Sequence, residues 1–201
     1  MKKKLIILTG PTAVGKTDLS IRLARTVGGE IISADSMQVY RRMDIGTAKI
    51  RPEEMDGVRH HLIDILEPTE SFNAFLFKEY ALKAANEIWE RGSIPIIVGG
   101  TGFYIQTILY DIEFAKSDEN DGIRDELNKL YEEHGAAFLH DMLAKVDPEY
   151  AAEVHENNVK KVIRAIEFYR QTGHKLSEHN TEQRERTSPY NFEYFVLSDD
   201  R

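Results

Sequence analysis

The chain has 201 residues, 41% hydrophobic and 30% charged, enough for one sizeable core or a core with a smaller insert. It contains no cysteine, which excludes disulfides, thiolate catalysis and Cys-based metal sites, and a cytoplasmic protein is expected. A net charge of −8 argues against an overall basic nucleic-acid binder but leaves room for a local basic patch. No apolar run approaches the roughly 20 residues that a membrane span needs.

The first element, "KLIILTG", reads as a strand. The three lysines before or within it resemble the start of a signal peptide, but the apolar run is short and enters a glycine-rich loop directly. A helix is expected from Lys16, with Leu19, Ile21, Leu23, Ala24 and Val27 as its apolar stripe and Gly28-Gly29 as its stop. "EIISAD" reads as a second strand ending on Asp35. From Ser36 to Pro68 the mixture of Gly, Pro and charge reads as connecting structure with one strand at "HLIDIL". Ser71 is expected to cap the helix "FNAFLFKEYALKAANEIWERG", which Gly92 stops. Phe72, Phe75, Tyr80 and Trp89 fall at helical spacings within it and are expected in the core. "IPIIVGG" is a continuous apolar run, the pattern of a buried parallel strand.

After Phe114 the composition shifts. "AKSDENDG" reads as a polar linker, followed by the helices "GIRDELNKLYEEHG", "AAFLHDMLAKVD", "PEYAAEVH" and "NVKKVIRAIEFYRQTG". "SEHNTEQRERTS" reads as a second linker, and "NFEYFVL" resumes strand character. The predicted architecture is α/β, a P-loop NTPase-like doubly wound parallel sheet with an all-helical insert. Residues 1–115 form the core, 116–187 the insert, and 188–201 a strand returning to the sheet. The chain stops at Asp199-Asp200-Arg201 without a terminal signal, and a truncated chain is expected.

Residues Gly10-Pro11-Thr12-Ala13-Val14-Gly15-Lys16-Thr17 match G-x-x-x-x-G-K-[ST] at every fixed position. Such a loop cradles phosphates with its backbone N–H groups, aided by the N-terminal dipole of the helix that follows. Lys16 can neutralise phosphate oxygens and the Thr17 hydroxyl can ligate magnesium. Asp35, at a strand end lining the same crevice, has the placement of a general base or magnesium partner. "VGGTGFY" opens a further strand end, with the Thr101 hydroxyl near the expected phosphates. A phosphate-cleaving enzyme usually carries an acid at such an end; this chain has Gly99-Gly100. His60 and His61 are neighbours on a predicted strand and face opposite sides, which disfavours a shared metal. Val159, Val162, Ile163, Ile166 and Phe168 form the expected buried side of their helix. Lys160, Lys161, Arg164 and Arg170 remain for a solvated face or a nucleic-acid contact.

Taken in order, "GPTAVGKT", "EIISADSMQVYRRMDIGTAK", "HHLIDILEP", "PIIVGGTGFY" and "NNVKKVIRAIEFYRQTG" resemble the tRNA dimethylallyltransferase (isopentenyltransferase) family across nearly the whole chain. The resemblance implies that dimethylallyl diphosphate lies in the loop. Its five-carbon group then moves to the exocyclic amine of an adenine beside the tRNA anticodon, and pyrophosphate leaves with Mg2+. It implies that Lys16, Thr17 and the loop amides hold the diphosphate, that Asp35 is the base, and that Thr101 touches the diphosphate or the adenosine. Ser36, Met37 and Gln38 would lie against the target nucleotide, while Arg124, Lys160, Lys161 and Arg164 would contact the anticodon stem-loop. A monomer is favoured, with no membrane partner. Two departures stand out: the family usually has Pro-Asn-Asp and an Arg where this chain has Glu156-Asn157-Asn158 and Lys161. The family also continues beyond this chain into further basic helices, so weak or absent activity is expected of this length alone. The alternatives are an adenylate isopentenyltransferase acting on free AMP, ADP or ATP, a P-loop small-molecule kinase, and a regulatory module whose loop is structural.

Overall fold

The computed structural model describes residues 2–114 and 122–198, apart from the side chain of residue 184. The chain divides into two compact units. One runs up to Ile112 and resumes at Thr187; the other is Glu113–Arg186. The "AKSDENDG" linker and the expected border at residues 115–116 fall on or beside residues outside those described.

Among the described residues the first unit is built on five strands: β1 (Lys4–Thr9), β2 (Gly29–Ser33), β3 (His60–His61), β4 (Ile94–Gly99) and β5 (Asn191–Val196). They pair in the order β3-β2-β4-β1-β5, every neighbour parallel. Alternation along the strands supplies both faces. Leu5, Ile7, Ile32 and Ile97 pack on one face with Phe77, Ala81, Ala84, Ile88, Tyr104, Ile105 and Ile108. Ile31 and Ile96 turn to the other face, against Ile21 and Ala24. The covering helices are α1 (Lys16–Val27), α2 (Ala74–Glu90) and α3 (Gly102–Leu109). Each fully buried Ile, Leu or Phe here contributes about 1.5–3 kcal/mol.

Three expectations are corrected in this unit. Asn73, not Ser71, caps α2, its side chain accepting from the Leu76 N–H at 3.0 Å. The helix therefore starts later, and Phe75 is 43% exposed, whereas Phe72 and Trp89 pack on the core. The strand expected over "HLIDIL" is only His60–His61, because Leu62 (φ 64°) and Asp64 (φ 54°) leave the extended region. Extended pairing resumes as an isolated bridge between Tyr40 and Leu66.

The second unit is helical: α4 (Ile123–Val146), α5 (Pro148–Glu153), α6 (Val159–Thr172) and α7 (Leu176–Glu185). A break at Gly135 (φ 82°, ψ 179°) divides α4 into the two helices expected from sequence. Leu127, Leu139, Leu143, Val162, Ile163, Ala165, Ile166 and Phe168 form its core, with Val159 at the margin. The polar segment read as a linker after Lys175 is α7. Its hidden cap is Asp147, thirty positions before Ser177, whose N–H (2.9 Å) and hydroxyl (2.7 Å) both donate to that carboxylate.

Candidate phosphate and base site

The carboxyl ends of β1, β2 and β4 converge in the first unit. Thr9 Oγ1 donates to the Gly99 carbonyl at 2.8 Å, and the Ala34 N–H donates to Val98 O at 2.8 Å. The approach of β2 to β4 requires glycine: a Cβ on Gly99 would lie 2.3 Å from Ala34 O. Gly10 is constrained likewise, with φ +151° and a Cβ position 2.4 Å from Leu197 O.

From Gly10 the loop runs to Gly15, a left-handed residue (φ 82°) at the N-cap of α1. Lys16 Nζ folds back to donate to the carbonyls of Gly10 (2.8 Å) and Pro11. Partial burial lowers the Lys16 pKa, and the Asp35 charge opposes that effect. Thr12 and Thr17 are exposed, and Val14 is half-buried.

Asp35 follows β2 and is half-buried. Its Oδ1 accepts from the N–H groups of Met37 (2.8 Å) and Gln38 (3.3 Å), so the turn "DSMQ" orients the carboxylate. Asp35 Oδ2 takes no hydrogen bond among the described residues. Gln38 is held at both ends of its amide, accepting from Ser33 Oγ (3.1 Å) and donating to Ala48 O (3.1 Å). Ser36 is half-buried and Met37 is 40% exposed. Thr101 is the N-cap residue of α3 without a side-chain cap bond, and a Cβ on neighbouring Gly100 would lie 3.5 Å from Gly10 O. Tyr104 belongs to the same region: burial first, then the charges of Tyr40 and Asp35, raises its phenol pKa.

The structure thus brings Gly10–Thr17, Asp35–Gln38 and Thr101 to one end of one sheet. Arg124, Lys160, Lys161 and Arg164 lie in the helical unit. The last three are exposed along α6. Arg124 is anchored by its guanidinium on buried Glu167 while 60% of its side chain stays exposed. His60 Nδ1 bonds to Val58 O at 2.9 Å, and His61 Nε2 to Glu30, which also takes both arms of Arg91. Sequence reasoning gave no role to Lys49, whose buried ammonium meets Asp44 and Asp64. These two partners lie 20 positions apart, so no local pattern marks them.

The fold and the loop define a P-loop-type α/β protein with its candidate site residues at the carboxyl edge of the sheet. Residues 38–201 match the IPP transferase family, and the chain belongs to that family. The chain is 58% identical over 197 residues to the tRNA dimethylallyltransferase of Lachnoclostridium phytofermentans, a match covering 98% of this chain and 63% of that protein. A eukaryotic dimethylallyltransferase, solved in crystallographic snapshots acting on tRNA, superposes with TM-score 0.89 at 35% identity, covering 98% of this chain and 49% of that one. The full-length tRNA isopentenylpyrophosphate transferase of Bacillus halodurans gives TM-score 0.62 at 46% identity, with 97% and 60% coverage. The chain therefore spans less than two thirds of the length of these relatives. Among the described residues no helix is long and apolar enough to cross a membrane.

Proposed function

We propose that this chain is the donor-binding and base-carrying part of a cytoplasmic tRNA dimethylallyltransferase. The observation that carries the reading is the oriented Asp35 carboxylate beside a phosphate-type loop, where the neighbouring strand ends in Gly99-Gly100 rather than an acid. Such a site suits attack on carbon better than cleavage of a phosphoanhydride.

In the proposed reaction the exocyclic nitrogen of adenine attacks C1 of the dimethylallyl group. The N–C bond forms as the C1–O bond breaks, the electron pair leaves with pyrophosphate, and the amine proton passes to Asp35. Asp35 Oδ1 stays on the Met37 and Gln38 N–H groups, so Oδ2 receives the proton in a fixed direction. Lys16 exchanges its bonds to the Gly10 and Pro11 carbonyls for diphosphate oxygens, and the loop amides from Ala13 to Thr17 meet the rest of that charge. Thr101 donates to the diphosphate or the adenosine.

The Thr17 hydroxyl fits Mg2+, a hard cation that takes oxygen ligands, and would hold it together with oxygens of the donor. No group of three His, Cys, Asp or Glu side chains suited to a metal exists among the described residues, and the Thr17 hydroxyl stands exposed in the first turn of α1. When bound there, magnesium supplies charge neutralisation to the leaving pyrophosphate. The acceptor adenine unstacks to reach Asp35 and lies against Ser36, Met37 and Gln38. Lys160, Lys161 and Arg164 bind anticodon-stem phosphates, joined by Arg124 from its anchor on Glu167.

The test is incubation of the protein, at the full length of its relatives, with labelled dimethylallyl diphosphate and either tRNA or free AMP. Label on tRNA supports the reading, and label on AMP redirects it to an adenylate isopentenyltransferase. Asp35→Asn should lower transfer by about 10²–10⁴-fold while donor binding stays near normal. Unchanged turnover would remove Asp35 from the role of base.

A further inference from the structure

Lys49 lies outside the phosphate loop, yet its side chain is only 5% exposed. Its three N–H donors are all used. They meet the Tyr40 carbonyl at 2.7 Å, Asp44 Oδ1 at 2.7 Å and Asp64 Oδ1 at 2.6 Å. Burial opposes the charge, but the two carboxylates outweigh it and raise the lysine pKa. A buried ammonium is tolerated only when matched in this way.

What the ammonium gathers leads back to Asp35. The Asp64 N–H donates to Gln38 O at 3.1 Å, and the N–H groups of Ile65 (2.9 Å) and Leu66 (3.1 Å) both donate to Val39 O. Gln38 in turn gives its N–H to Asp35 Oδ1 and its side-chain amide to the carbonyl of Ala48, the residue before Lys49. Lys49 therefore closes a ring of contacts joining residues 35–40, 44–49 and 64–66. Ala48 (φ 48°) and Asp64 (φ 54°) are held left-handed on either side of it, although neither is glycine. Such conformations persist where surrounding contacts over-determine them, and they cluster at functional sites.

We propose that Lys49 is a positioning residue for Asp35: by tying Asp44 and Asp64 to the Tyr40 carbonyl, it fixes the turn whose amides aim the carboxylate. The inference rests on the functional reading above and adds a residue that never touches substrate. Displacing a reacting group by about 1 Å costs on the order of 10²-fold, so the loss should fall on the chemical step.

The experiment compares Lys49→Met, Lys49→Arg and Asp44→Asn in the full-length protein, measuring kcat for tRNA, Kd for dimethylallyl diphosphate and the thermal midpoint. Lys49→Met is expected to lower kcat by about 10–100-fold with donor Kd within about twofold. Lys49→Arg should recover part of that loss, and Asp44→Asn, on the exposed side of the cluster, should lower kcat by a smaller factor while remaining folded. In an Asp35→Asn background, Lys49→Met should cost little more, because the two act as one unit. Additive losses would overturn the proposal, as would equal falls in donor affinity and thermal midpoint across the series. If Lys49→Met does not fold, Asp44→Asn decides: an unchanged kcat sinks the idea. A wild-type protein that binds donor but labels no tRNA sinks the functional reading itself, and this inference with it.

Discussion

At the scale of single residues, Gly99 shows how little room the site leaves. A methyl group there would press within 2.3 Å of Ala34 O, on the two strands whose ends carry Thr101 and Asp35. Gly99→Ala should therefore part β2 from β4 and cost about 1–3 kcal/mol. Gly100→Ala meets only Gly10 O, at an ordinary 3.5 Å, and should cost less. Urea denaturation of the two variants checks the difference, and equal midpoints would refute it. The same contrast explains what could be read in advance. The phosphate loop is legible because its eight residues are contiguous and each has a local reason to be there. Asp35 is legible from its place at a strand end. Lys49 is not, because its meaning lies in an Asp five positions before it and another fifteen after it, brought together only by folding.

At the scale of elements, Asp147 ties together two helices of the helical unit. It is 1% exposed, and it receives the Tyr150 N–H at the start of α5 as well as the Ser177 N–H at the start of α7. Burial alone would raise its pKa. The donors of Ser177, with the N–H groups of Tyr150 and Leu176, outweigh burial and hold it below the usual carboxylate range. The stability it contributes is then complete above an unfolded-state pKa of about 3.9 and is lost as pH falls through the lower folded value. Asp147→Asn should destabilise at pH 7, with the gap to wild type closing towards pH 3 in thermal unfolding; a gap constant across that range would refute the assignment. Asp147→Ala, which uncaps two helices, should cost about 1–4 kcal/mol. Periodicity located α1, α2, α6, β1 and β4, because each shows a local apolar pattern and several a glycine stop. It missed α7, which among its described side chains buries Leu176 and Ser177 alone and takes its cap from a residue remote in sequence. The short β3 shows the converse: "HLIDIL" has strand composition, but left-handed Leu62 and Asp64 end the pairing.

At the scale of the molecule, a chain of net charge −8 would meet the tRNA proposed as its partner through local charge. Lys160, Lys161 and Arg164 on the exposed side of α6 are the group we assign to that task. Replacing all three by Gln should weaken tRNA binding and flatten its dependence on salt, by about 2–3 in the slope of log K against log salt. Filter binding across a salt series measures this; an unaltered slope would assign the contact elsewhere. The parallel α/β character of the first unit was readable from alternating strand and helix signals. The order β3-β2-β4-β1-β5 was not, since choice of neighbour depends on face-to-face packing that no single segment encodes.

The seating of Leu197 against the phosphate loop bears on how the protein is made. Leu197 gives its N–H to Thr9 at 2.8 Å and crowds Gly10 with its carbonyl, so the edge of an N-terminal loop is finished by residues synthesised almost 190 positions later. β5 must travel the same distance to lie in register with β1. A nascent chain thus exposes one flank of β1 throughout translation of the helical unit, a long-range closure of the kind that slows folding and invites chaperones. Glycine at position 10 serves that late arrival: it leaves β5 a place to land.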